Sequence, residues 1–159
     1  MKYKFLILVT LFLLLLSSVC GAASKDLIKI TDTSNGVVYV DSNSVVPLMR
    51  DNKLYLLVTM EEHYENPNYL AKLRNSDTKL KNATMRVFMY MFNNNGTQYC
   101  MPVRFIADAE GKVCLDMGAD LVMKPVDNSV LLVKIYEAGY SVVERKQKLM
   151  NSMKKGAYK

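Results

Sequence analysis

The turn Asn93-Asn94-Asn95-Gly96 constrains this chain more than any other stretch, because Asn-Gly between two apolar runs is the strongest short hairpin signal. The flanking runs, Ala83–Phe92 and Thr97–Ile106, read as antiparallel partners. A second turn, Asp108-Ala109-Glu110-Gly111, sends the chain back through Lys112–Asp116, so three successive strands make a meander. Pro102 falls inside the middle strand, where it cannot donate to a ladder, and predicts a bulge or local fraying there. Upstream, Leu54–Tyr64 is the longest strand. Its alternation puts Leu54, Leu56, Val58 and Met60 on one face, and Tyr55, Leu57, Thr59 and Glu61 on the other. Arg50-Asp51-Asn52-Lys53 joins it to Val45–Met49, and two short strands, Leu27–Thr31 and Val37–Val40, precede these around Ser34-Asn35-Gly36.

Two segments break the period of two. Residues 65–82 are polar and read as a loop or short helix, with Asn66 as the cap and Pro67 at the first helical position, covering Tyr69, Leu70 and Leu73. After a connector, Met117–Val126, a helix is expected from Asp127 or Asn128. Leu131, Ile135, Ala138 and Val142 recur at helical spacing, and Leu149 and Met153 carry the stripe into the basic end at 145–159. Gly139 interrupts the stripe at about 1 kcal/mol relative to Ala. The fold class is therefore α+β: an antiparallel β-sheet meander packed against one long C-terminal α-helix.

Residues 1–23 have the layout of a signal peptide. Lys2 and Lys4 precede an apolar run from Phe5 to Leu16, which ends in the small-residue segment Ser17–Ala23. The run is shorter than the roughly 20 residues of a membrane span. An exported single domain, residues 24–159, is expected, at the cell surface or in the periplasm. Cys20 lies in the cleavage region. Lipid-anchor signals favour Leu three residues earlier and a small residue just before, whereas Ser17 and Val19 stand there, which argues against lipidation. The formal charge of the whole chain is +6, and loss of Lys2 and Lys4 leaves 19 basic against 15 acidic groups. Arg145, Lys146, Lys148, Lys154, Lys155 and Lys159 all lie after the last acid, Glu144, so the body is nearly neutral and the end is basic. Cations there complement the helix dipole and keep the end soluble. Export makes nucleic acid an unfitting partner.

An exported Cys100–Cys114 pair invites a disulfide. The hairpin register argues otherwise: with residue 107 against 112, Cys114 faces 105 and Cys100 faces 119, about 17 Å apart along the strands, far beyond the roughly 7 Å that a disulfide spans. His63 is the only histidine and shares a strand face with Glu61, but no orienting group or oxyanion site accompanies it, so no enzyme is expected. Met85, Met89 and Met91 share a face, with Cys100 and Met101 on the next strand. Soft sulfur ligands select Cu(I), so Met91, Cys100 and Met101 are an alternative soft-metal or small-ligand site, while core filling is the ordinary role of such methionines. Asp108, Glu110 and Asp116 lack calcium-loop spacing and read as turn chemistry. No cofactor is implied.

Several short runs carry a family pattern. They are Val38-Tyr39-Val40-Asp41-Ser42-Asn43-Ser44-Val45, the long strand after the polar turn in Asp51–Tyr64, the pair Met89–Phe92 and Tyr99–Ile106 leading to Asp108-Ala109-Glu110-Gly111-Lys112-Val113, and Lys124-Pro125-Val126-Asp127-Asn128-Ser129 opening a helix through Tyr136. Over about residues 36–140 this order resembles the surface-adhesin protein E-like domain. The resemblance implies an antiparallel sheet on a C-terminal helix, a surface or periplasmic address, and binding to host proteins. A non-catalytic envelope binding domain is the expectation, with host or envelope proteins as partners. Tyr69, Lys72, Arg74, Lys79 and Lys81 of the polar segment are the candidate contact residues.

Overall fold

The computed structural model describes residues 25–156, with side chains as far as Ser152. The expected signal peptide and Cys20 lie outside the described residues. Eight strands form one antiparallel sheet: β1 (Leu27–Asp32), β2 (Gly36–Asp41), β3 (Val46–Arg50), β4 (Lys53–Tyr64), β5 (Met85–Asn93), β6 (Gln98–Ala107), β7 (Val113–Asp116) and β8 (Asp120–Pro125). Helix α1 (Pro67–Ser76) follows β4, and α2 (Val130–Gly156) follows β8. The expected α+β architecture is the one observed.

Three long strands, β4, β5 and β6, make the centre, and each flank is split between two short ones. Along β4, β2 pairs with Met60–Tyr64 while β3 pairs with Lys53–Leu57. Along β6, β7 pairs with Phe105–Ala107 while β8 pairs near Gln98–Met101. Between Met89↔Val103 and Met91↔Cys100, one residue of β5 opposes two of β6, and Pro102 is one of those two. The bulge expected from that proline is thus present, and it spares the ladder a missing donor.

Two expectations need correction. The stretch Met117–Val126 is more than a connector, because it contains β8. Leu121 and Val122 are adjacent and both exposed, so the stretch shows no period of two, and its partner is the far half of β6 rather than its neighbour β7. The register after the second turn also slips. Phe105 faces Asp116 and Ala107 faces Val113, because a bulge at Cys114 takes up an extra residue. Both thiols are free all the same.

The helices cover one face of the sheet. Ile135, Leu132 and Val142 of α2 pack on Val38, Val40, Leu56, Val58, Met60, Tyr90 and Phe92, each fully buried side chain adding roughly 1.5–3 kcal/mol. Helix α2 starts later than the Asp127 or Asn128 expected. Asp127 takes a positive φ of 47°, and the Ser129 hydroxyl accepts from the Leu132 amide at 3.4 Å, capping a helix that begins at Val130. Two glycines let α2 lie close. A Cβ on Gly139 would stand 2.5 Å from Val58 Cγ2, and one on Gly96 would stand 2.6 Å from the Tyr136 ring, whose hydroxyl donates to Asn94 O at 2.6 Å. Helix α1 is capped as expected, Asn66 Oδ1 accepting from the Asn68 and Tyr69 amides. Together with the turn at Leu80 it closes the other end of the same face over Ile106.

Candidate binding surface

The opposite face of the sheet carries Tyr55, Leu57, Met85, Val87, Met89, Met91, Cys100 and Phe105, and its apolar clusters consist of strand side chains alone. No described helix lies on it. Even so, Cys100 is only 1% exposed. Bulges in four of the strand pairings increase the local twist and curl the sheet over this face, so that Leu48 of β3 and Met123 of β8 join one cluster from opposite flanks. At the end formed by the β3–β4 and β5–β6 turns, the face opens into a groove of about 500 Å³ lined by Lys53, Tyr55, Asn93, Gln98 and Met123. That volume lies in the range of small-ligand sites. Asn93 is committed to its turn, donating to Thr97 Oγ1 and accepting from the Gln98 amide. The Lys53 ammonium, the Tyr55 hydroxyl and the Gln98 carboxamide have no hydrogen-bond partner among the described residues.

A polar group marks the other end of this face. Glu61, nearly buried, receives Lys25 Nζ at 2.5 Å and lies 2.8 Å from His63 Nε2, whose ring tilts against Tyr39 at 5.1 Å. Burial pushes the Glu61 carboxyl up, but hydrogen bonds from His63 and Lys25 outweigh it and hold the group below its ordinary range. His63 cannot serve either thiol. Its partner Met85 is six residues along β5 from Met91, which faces Cys100, a separation of about 20 Å. Cys114 packs with Ile106 and Leu80 on the helix-covered face. Burial raises both thiols above their ordinary pKa, the reverse of an activated nucleophile.

The expected soft-metal trio is split. Met91 and Cys100 face each other on the open side, but Met101, next to Cys100 in the strand, points the opposite way and lies in the core beneath α2. Met123 of β8, which sequence reasoning left in a connector, takes the place beside them. Among the described residues no group of three His, Cys, Asp or Glu comes together. Asp108 and Asp116 accept from the Lys112 and Gly118 amides, which is turn chemistry.

The five candidate contact residues do not form one free patch. Tyr69 packs on Tyr64 at 5.0 Å, and Arg74 donates twice to Ala83 O, at 3.1 and 3.0 Å, pinning α1 to the body. Lys72, Lys79 and Lys81 are exposed. A buried ion pair was not foreseen. Glu62 is fully buried under the helices, accepts from Thr33 Oγ1 at 2.7 Å and pairs with Arg86, which lies 5.2 Å over the Phe88 ring. The signal existed in Glu61-Glu62: adjacent residues of a strand face opposite ways, so in a sheet covered on one side one of the two must go under the helix. Burial pushes the nearby Tyr90 phenol up to about 12.

No family model matches the chain, and no curated protein or solved structure proved similar to it. The resemblance to the protein E-like family rests on the short runs and the order of elements.

Proposed function

We propose that this chain is a non-catalytic exported binding domain of the cell envelope, adhesin-like in the manner of the family it resembles. The observation that supports the reading best is the groove at the end of this face, where the polar groups of Lys53, Tyr55 and Gln98 have no hydrogen-bond partner among the described residues. A groove like this suits a partner side chain held by apolar contact with Tyr55 and Met123 and by a few directional polar groups. The separation of His63 from both thiols is consistent with binding rather than turnover. Host proteins, or other proteins of the envelope, are the partners this reading assigns.

Digestion of intact cells with a protease, followed by mass spectrometry of released peptides, tests the address. Exposed α1 should be cut and its peptides released without lysis from a surface domain. Protection until the outer envelope is permeabilised overturns the surface assignment and leaves a periplasmic binder. Binding itself is tested by capture on immobilised host matrix proteins. Tyr55→Ala and Gln98→Ala should weaken capture, and equal capture by both variants and the parent sinks the open face as the site.

A further inference from the structure

Helix α2 outruns the sheet it packs on. Among the described residues Val142 is its last buried apolar one, and Lys146 makes the last tether to the sheet end, its Nζ donating to Ser42 O at 3.0 Å and to Val45 O at 3.4 Å. The helix nonetheless continues to Gly156, roughly ten residues or about 15 Å farther. Leu149 and Met150 stand three and four residues beyond Lys146, on the side that faced the core, and are 62% and 55% exposed. Val46, 47% exposed, follows directly on the Val45 carbonyl that Lys146 holds. Arg145 and Lys148 are exposed around this apolar stripe, and six basic residues and no acid follow Glu144.

The helix dipole accounts for cations in a last turn. It does not account for two large apolar side chains on a projecting end. A second copy is a poor occupant, because it would set the same cations against themselves. An apolar stripe bordered by Lys and Arg is how a helix lies in the headgroup region of a bilayer. We propose that the projecting end of α2 docks this domain on an anionic lipid surface, Leu149, Met150 and Val46 entering the headgroup layer while Arg145 and Lys148 meet the phosphates. Docking here leaves the open face free.

The test is co-sedimentation of the full chain with phosphatidylcholine vesicles, neutral or containing one-third phosphatidylglycerol. Because the apolar N-terminal run contributes to both, the readout is the excess on anionic vesicles. That excess should fall away at high salt, where screening is within a few ångströms. Leu149→Asp with Met150→Asp, and Arg145→Ala with Lys148→Ala, should each reduce it more than about tenfold, with the melting temperature unchanged because all four side chains are exposed. No excess, or an excess that both double variants retain, overturns the proposal. So does a dimer in sedimentation velocity that the aspartates abolish, which would make the stripe a self-association surface.

Discussion

Replacing Gly139 by alanine sets helix propensity against packing. In an isolated helix Gly139→Ala gains about 1 kcal/mol. In this fold the new Cβ would stand 2.5 Å from Val58 Cγ2 and 3.2 Å from Leu56 Cδ2. Carbon atoms rest at about 3.5–4.0 Å, so α2 must lift by roughly an ångström or the Val58 side chain, fully buried, must leave its rotamer. Overpacking of this kind costs about 1–3 kcal/mol. The net expectation is a loss of about 0–2 kcal/mol where propensity alone gives a gain. Urea unfolding at constant slope measures it through the midpoint. The same substitution in a Val58→Ala background, where the obstructing methyl is gone, should recover the propensity gain, a coupling of at least about 1 kcal/mol. A midpoint raised equally in both backgrounds would refute close contact between α2 and β4 at this point.

Arg86→Met strands the buried Glu62 carboxylate and should destabilise by about 3 kcal/mol, near the lower end for broken buried pairs because the Arg86 side chain is one-third exposed; pairing it with Glu62→Leu should recover most of that loss in the same urea titration. The folded-state pKa of Glu61 lies below its ordinary 4.5, so the carboxylate stabilises the fold above that value and the contribution disappears as pH falls through the lower, folded value. Glu61→Gln should flatten the acid side of a stability–pH curve, and an unchanged curve would mean the Lys25 and His63 contacts do not hold in solution. Tyr136→Phe deletes the hydroxyl that donates to Asn94 O and should cost about 0.5–1.5 kcal/mol, with faster proteolysis at the β5–β6 turn as an independent readout. In native protein an alkylating reagent should label the Cys114 peptide well before the Cys100 peptide, since Cys100 is buried and Cys114 only partly so; equal labelling would show that the open face breathes.

Much of the sheet was readable because its strands obey a single period. The alternation from Leu56 to Met60 names the side chains that α2 covers, and Asn66-Pro67 marks where α1 begins. What escaped the sequence is mostly non-local. β8 pairs with the far half of β6 through Lys124↔Tyr99 and Asp120↔Met101, and nothing in the run Asp120–Pro125 announces a partner some twenty residues back. Met101 lies opposite the expected metal trio by alternation alone, since it neighbours Cys100 in one strand, and that much was legible in the sequence. The groove residues Lys53 and Gln98 stand at strand starts, Lys53 expected in a polar turn and Gln98 in the strand Thr97–Ile106, and Met123 in a supposed connector; only the curl of the sheet brings them together. Gly139 read as a flaw in a helix, whereas it lies against Val58 and Leu56 where a Cβ has no room.

The bulge at Pro102 also bears on how this chain can change length. Tyr99 and Met101 precede it on the helix side, and Val103 follows on the open side with Arg104, opposite Phe88, back on the helix side of the strand. Excising Pro102 would join Met101 to Val103 with the alternation intact, converting the bulge to plain ladder, whereas excising a residue of β6 outside the bulged pair Met101–Pro102 would turn half the strand inside out. A one-residue deletion at this position should therefore be silent for the fold, and descendants of a common ancestor could differ by a gap there while keeping every neighbouring side chain on its original face.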